Sequence, residues 1–214
     1  MISAGKPWKL YQERLKWALN GANDVLDIGT DKRFSKELRT LRQLFDEKRY
    51  LAAGFQPSDQ YGDDNCDLDL DVCAIDLPDA SFDCVICIEV LEHCADPFIA
   101  AKELQRILRP GGALFLTVPF LTSFHGSTGV QTGAHGAFPD YWRFTHQGLE
   151  KMFAGMDELK VMPFDGPIEF RVRSTPLVRF VDKQPLRGLL DRYDWPAAGK
   201  STTRHLVTGR KSRI

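Results

Sequence analysis

The chain has 214 residues, 43% hydrophobic, 27% charged and 11% aromatic, which suits one globular domain with a real core. Its 28 Lys and Arg against 29 Asp and Glu leave a formal charge of -1, which argues against a broad cationic face for nucleic acid. No apolar run approaches the roughly 20 residues of a membrane span, residues 1–9 lack the apolar stretch of a secretory signal, and the five cysteines lack disulfide-scaffold density, so a reduced, cytoplasmic setting is expected.

Residues 8–19 place Trp8, Tyr11, Leu15, Ala18 and Leu19 at helical spacing, with Gly21 as a C-terminal stop. Residues 24–29 read as a short apolar strand ending at a glycine. Ser35 is placed to cap a helix running to about residue 47, with Leu38, Leu41 and Leu44 or Phe45 as its buried stripe. Residues 49–55 predict a second strand, residues 67–72 a short third and residues 81–88 a fourth. Residues 97–108 predict a helix with Phe98, Ala101, Leu104 and Leu108 on one side, stopped by Arg109-Pro-Gly-Gly112. Residues 113–118 make a fifth strand. This alternation implies crossover units: a Rossmann-like, doubly wound α/β fold with helices on both faces of a mostly parallel sheet.

Cys84 and Cys87 form a CxxC inside the fourth strand. Residues three apart on a strand point to opposite faces, so the pair is read as two buried core thiols and not as a metal site.

Beyond Pro119 the pattern changes. Residues 121–140 hold four glycines and two histidines without periodicity, too long for a plain connector. Residues 145–156 predict a helix with Leu149, Met152 and Phe153 facing inward. Residues 159–164 and 205–208 predict two closing strands, the last antiparallel, which completes seven. Between them residues 176–193 are amphipathic, with Thr175 as a cap, Pro176 at the first helical position and Pro185 splitting the segment in two.

In an open parallel sheet, ligands bind beyond the carboxyl ends of the strands. The residues at those ends carry a resemblance. Val25-Leu-Asp-Ile-Gly29 resembles the first motif of class I S-adenosylmethionine-dependent methyltransferases. The run Ile75-Asp-Leu-Pro-Asp-Ala-Ser-Phe-Asp-Cys-Val-Ile-Cys-Ile-Glu-Val-Leu-Glu-His93 resembles their fourth-strand signature. Residues 104–119, from a helix through Pro110-Gly-Gly112 to the fifth strand, are similar to the segment that follows, and Pro139-Asp-Tyr-Trp-Arg-Phe-Thr145 is similar to one found later in many members. Order and spacing also match, over roughly residues 22–164, nearest the type 11 branch that includes quinone-biosynthesis enzymes.

The resemblance implies an S-adenosylmethionine cofactor, with Asp27, Gly29 and Thr30 near its methionine end. The end of the second strand, Gly54 and Phe55, would face the ribose, and Ala74 the adenine. Ile88, Glu89 and His93 would close the cofactor side. Four positions depart from the family pattern. Asp31 and Arg33 replace the later glycines of the first turn, Gly54 stands where an acid is usual, and Cys73 stands where an aspartate is common. Asp71 is the expected substitute for the missing carboxylate, ahead of Asp31 and Asp59.

One domain, residues 1–214, is expected, with an N-terminal helix at 1–21, an acceptor-side loop at 121–144 and a cap or oligomerisation insertion at 168–200. Histidine has the intrinsic pKa of a general base near neutrality, so His125 and His135 are candidates, with His146 only a helix start. Tyr141 and Arg143 lie on the same side, and Arg143 suits a carboxylate or phosphate on the acceptor, or else a salt bridge within the domain. His125, His135 and Asp140 match no established ligand spacing, so no metal is expected. The expected partner is a small-molecule or glycan acceptor, with O-methylation preferred and a homodimer possible in principle. A non-catalytic binding or scaffold protein on the same fold is the alternative. A nicotinamide-dependent oxidoreductase fails at both later glycines of its fingerprint.

Overall fold

The computed structural model describes residues 6–29, 36–54, 66–126, 139–164 and 202–213. Seven strands form one sheet: β1 (Asp24–Ile28), β2 (Arg49–Gly54), β3 (Leu68–Asp69), β4 (Phe82–Ile88), β5 (Leu108–Pro119), β6 (Met156–Phe164) and β7 (Arg204–Lys211). Their spatial order is β3-β2-β1-β4-β5-β7-β6. The first five run parallel, and β7 lies antiparallel to both β5 and β6. This is the doubly wound arrangement the strand–helix alternation implied, including the antiparallel last strand.

Two apolar layers cover the sheet, and strand alternation sorts residues between them. Val25, Ala52, Cys84, Ile86 and Phe115 face α1 (Lys6–Leu19), where Tyr11, Leu15, Ala18 and Leu19 are buried. Leu26, Ile28, Val85, Cys87 and Leu116 face α3 (Pro97–Ile107) and α4 (His146–Met152) through Leu104, Ile107, Leu149 and Phe153. Cys84 and Cys87 therefore lie in different layers, both buried as free thiols. Burial raises the Cys84 thiol to about 12, so it is an inert core group.

Four boundaries differ from expectation. The single helix expected up to residue 47 is two short pieces, α2 (Lys36–Arg39) and a 3₁₀ turn (Arg42–Phe45). Three-residue turns from Leu38 to Leu41, Leu41 to Leu44 and Phe45 to Lys48 tighten the chain. They carry Leu38, Leu41 and Phe45 into one layer just before β2 begins. The third strand shrinks to two residues, because β2 offers it only Ala53 and Gly54. The helix expected over 145–156 stops at Met152, and Met156 instead opens β6.

On α3 the expected stripe is rotated: Phe98 is 51% exposed, while Pro97, Ala100, Ala101, Leu104 and Ile107 are buried. Apolar residues at 97–101 admit either stripe. Packing on the sheet selects the one with two alanines, whose short side chains let the helix approach closely. Asp96 caps this helix by accepting from the backbone N–H of Phe98 and Ile99, and Pro97 occupies its first turn. Thr145 caps α4 through Gly148 N–H, as its placement before that helix suggests.

At the amino ends of the strands, Arg109 bridges Asp24 (2.7 Å) and Asp83 (2.8 Å), binding β1, β4 and β5 together. Arg49 also meets Asp24, and the N–H groups of Asn23 and Asp24 donate to Asp83. Arg106 fixes the loop before β4 to α3 through Ile75 O, Leu77 O, Asp79 and Glu103. Two arginine-centred clusters thus tie this end of the sheet together.

Candidate active site

At the opposite, carboxyl edge, β1 ends at Gly29 with φ +90, a left-handed backbone natural to glycine. A Cβ there would sit 2.0 Å from Val90 Cγ2, so Gly29 is required by both its backbone and its neighbour. Gly29 N–H donates to Ala53 O, which holds the turn against β2. On β4, Glu89 also has a positive φ, +54, in the residue that follows the strand. A non-glycine residue held there marks strain stored where the sheet presents its functional edge. Glu89 N–H donates to Thr117 O, so β5 enforces that conformation.

Asp27 is buried in β1 and turns toward the α1 layer, where the Tyr50 hydroxyl donates to its carboxylate. Burial pushes its pKa up to about 7, against the opposing Tyr50 hydrogen bond. Asp27 therefore anchors the strand beneath the first turn. Asp71 accepts from Cys73 N–H, and Asp71 O accepts from Ala74 N–H, forming a tight turn that leaves Ala74 exposed at the edge. The Cys73 thiol lies 3.6 Å from Asp96 O. Gly54 ends β2 without a side chain, beside the end of β1.

The chain beyond β5 folds back over the end of β4. Tyr141 N–H donates to Glu92 O (2.8 Å), Trp142 Nε1 to Cys94 O (2.8 Å) and Phe144 N–H to Pro119 O (3.0 Å). Arg143 forks onto the enclosed Asp140 carboxylate, and its second nitrogen also reaches Ser123 O (2.9 Å). His125 N–H donates to the same carboxylate (2.8 Å). The Arg143 guanidinium holds the Asp140 carboxyl well below the usual carboxylate range. Of the two roles open to Arg143, this is the internal salt bridge. Tyr141 is 59% exposed and meets the turn through its backbone N–H.

Sequence reasoning missed Glu92. It lies in the 3₁₀ turn Leu91–His93, with no exposed side-chain surface, and its Oε1 is 3.7 Å from both His93 Nε2 and His125 Nε2. The Glu92 carboxylate raises the His125 pKa, ahead of burial, which lowers it. The Glu89-Val-Leu-Glu-His93 run put Glu92 in view, but only folding brings His125 to it. Thr30, Asp31, Arg33, Ser35, Phe55, Asp59, His135 and the segment 168–200 lie outside the described residues.

Comparison with known proteins now bears on this edge. Residues 48–116 match a family described as a methyltransferase domain. A curated ubiquinone biosynthesis O-methyltransferase from Xanthomonas oryzae is 51% identical over 37 residues, 17% of this chain and 16% of that enzyme. A crystal structure of an S-adenosylmethionine-dependent methyltransferase from Archaeoglobus fulgidus superposes with TM-score 0.56 at 14% identity, covering 97% of this chain and 95% of that one. The chain has the class I methyltransferase fold. A phosphoethanolamine N-methyltransferase from Haemonchus contortus, in complex with S-adenosyl-L-methionine, superposes with TM-score 0.54 at 16% identity over 96% of this chain and 53% of that one. The curated sequence match thus spans about a sixth of its relative's length, and it fits the type 11 branch of the methyltransferases. No helix among the described residues is long and apolar enough to cross a membrane.

Proposed function

We propose that this chain is an S-adenosylmethionine-dependent methyltransferase that methylates a hydroxyl of a small-molecule or sugar acceptor. The observation that carries the reading is Gly29. A side-chain-free turn in left-handed conformation lies at the end of β1, at the edge where this fold places its ligand. Val90 fills the place of the missing side chain, and the exposed backbone of Gly29 remains for a close-lying cofactor to approach. Ala74, small and exposed, offers the same at the adenine side, and Asp71 is tied to it by the hydrogen bond from Ala74 N–H to Asp71 O. Asp27, Gly29 and Thr30 would hold the methionine end, Gly54, Phe55 and Asp71 the ribose side, and Cys73, Ala74, Ile88, Glu89 and His93 the remainder.

S-adenosylmethionine, when bound, supplies a methyl group on a positively charged sulfur. The chain's own contribution is positional: holding an acceptor oxygen in line with that methyl removes several kcal/mol of barrier, about 7 or more in favourable cases. The loops carrying His125, Tyr141 and Arg143 fold over the end of β4, and the expected acceptor-side loop also contains His135. A charge-balanced surface and the O-methyltransferase similarity both favour a small acceptor over nucleic acid. We further place the protein in the cytoplasm, as a single domain able to form a homodimer.

Calorimetric titration with S-adenosylmethionine and S-adenosylhomocysteine tests the reading. Micromolar binding of both is expected. A folded chain that binds neither would establish the non-catalytic scaffold instead.

A further inference from the structure

We propose that Glu92, His93 and His125 form a binding site for a divalent transition-metal ion of the zinc class. One ligand atom from each residue lies within 4.8 Å of the others. Glu92 Oε1 stands 3.7 Å from His93 Nε2 and 3.7 Å from His125 Nε2. Ligand atoms around a tetrahedral zinc with bonds of about 2.0–2.1 Å are roughly 3.3 Å apart, so the two Glu92–histidine separations need to close by only a few tenths of an ångström, and the two rings, within 4.8 Å of each other, swing together on the ion.

The independent observation is Glu92 itself. Its side chain is fully buried, and neither carboxylate oxygen has a hydrogen-bond partner among the described residues. A buried carboxylate left so is costly, and two imidazoles held at 3.7 Å are too far to donate to it. A direct ion pair would close that gap. A cation between the three groups explains why it stays open.

The tautomers agree. His93 Nδ1 is hydrogen-bonded to Pro139 O, and His125 Nδ1 lies 3.4 Å from Ser123 O. A carbonyl only accepts, so each Nδ1 carries the hydrogen, and in the neutral ring that a metal binds the Nε2 lone pair is left on the Glu92 side. Asp140, gripped by Arg143 and by His125 N–H, stands 3.6 Å from His125 Nδ1 and orients that ring from behind. Two imidazoles and one carboxylate select a transition metal over magnesium or calcium, and they leave coordination positions open.

The inference deepens the methyltransferase reading and, for its role, rests on it. The site hangs from the end of β4, two residues beyond Val90, which packs on Gly29. There the open positions take the acceptor's hydroxyl oxygen. That hydroxyl releases its proton to water on binding. Its oxygen then forms the new O–C bond as the C–S bond breaks and leaves its electron pair on sulfur.

The test uses the tag-free full chain, stripped with chelator and titrated with zinc sulfate by calorimetry, with cobalt(II) as a visible-absorption probe. One ion per chain, with a cobalt spectrum of low coordination number, is expected. His125→Ala, at a half-exposed position, should weaken zinc binding more than ~100-fold with an unchanged melting curve. Asp140→Asn should weaken it about 10-fold, as loss of an orienting partner does. A folded chain that binds no zinc, or binds it equally well after His125→Ala, overturns the site. S-adenosylmethionine titration in parallel separates the two readings. Zinc without cofactor binding keeps the site and sinks the methyltransferase, and cofactor without zinc does the reverse.

Discussion

The two ends of the sheet solve opposite problems. At the amino edge two carboxylates are gripped by cations and backbone donors: Asp24 meets Arg49 and Arg109, and Asp83 meets Arg109 and two N–H groups. Arg49, then Arg109, hold the Asp24 carboxyl below its ordinary range, and the Asp83 carboxyl is also lowered although burial opposes it. At the carboxyl edge the pairing is uneven: Asp140 is gripped by Arg143, while Glu92 has no hydrogen-bond donor among the described residues. Glu92 is buried beyond hydrogen-bonding distance of any donor described, Asp27 is raised to about 7, and Glu89 holds a left-handed backbone. One edge is built to stay closed. The other holds a buried carboxylate without a hydrogen-bond donor among the described residues.

Four variants sharpen that contrast. Gly29→Ala should have the largest effect, because its Cβ meets Val90 and its φ is disfavoured. About 1–3 kcal/mol of overpacking adds to ~1–2 kcal/mol of backbone strain, read by urea denaturation. Adding Val90→Ala should recover the first part only. Full stability in Gly29→Ala would show the turn to be looser than described.

Asp27 gives the next effect, on pH. Its folded pKa is raised, so the folded state holds its proton more tightly than the unfolded chain does. Its contribution to stability is fully present below about pH 4 and is lost as pH rises toward 7. The loss is on the order of 4 kcal/mol, and Asp27→Asn should flatten the profile over that window. His205 works in the other direction. Burial, with His146 nearby, lowers it to about 4, so it contributes stability above about pH 6.5 that is lost as pH falls toward 4. Identical wild-type and Asp27→Asn profiles would refute the buried-acid account.

Arg109→Ala should cost about 1–2 kcal/mol by stranding Asp24 and Asp83, which are only partly exposed, while leaving S-adenosylmethionine affinity unchanged. A fall in cofactor affinity of tenfold or more would show that the two edges are coupled. Phe98→Ser should change stability by less than ~0.5 kcal/mol, since its ring is half exposed beside the capped start of α3. A larger loss, seen in the same denaturation curves, would restore Phe98 to the buried stripe.

The amino-acid sequence by itself determined the sheet and its two coats. Strand-length apolar runs alternating with helical stripes leave few topologies, and β1, β2 and β4 lie within a few residues of where the pattern puts them, while β5 begins at Leu108 and takes in the Arg109-Pro-Gly-Gly112 run expected as a helix stop. The opposite facing of Cys84 and Cys87 followed from the two-residue period alone. Short or doubly apolar segments were not legible. The pieces between residues 36 and 47, the two-residue β3 and the stripe on α3 were settled by what each could pack against. The site divides the same way. Gly29, Glu89 and His93 stand in a contiguous pattern, so the chain spells them out. The meeting of Glu92 with His125, and of Arg143 with Asp140, joins segments separated by loop closure, and only the tertiary structure decides which side chain reaches which.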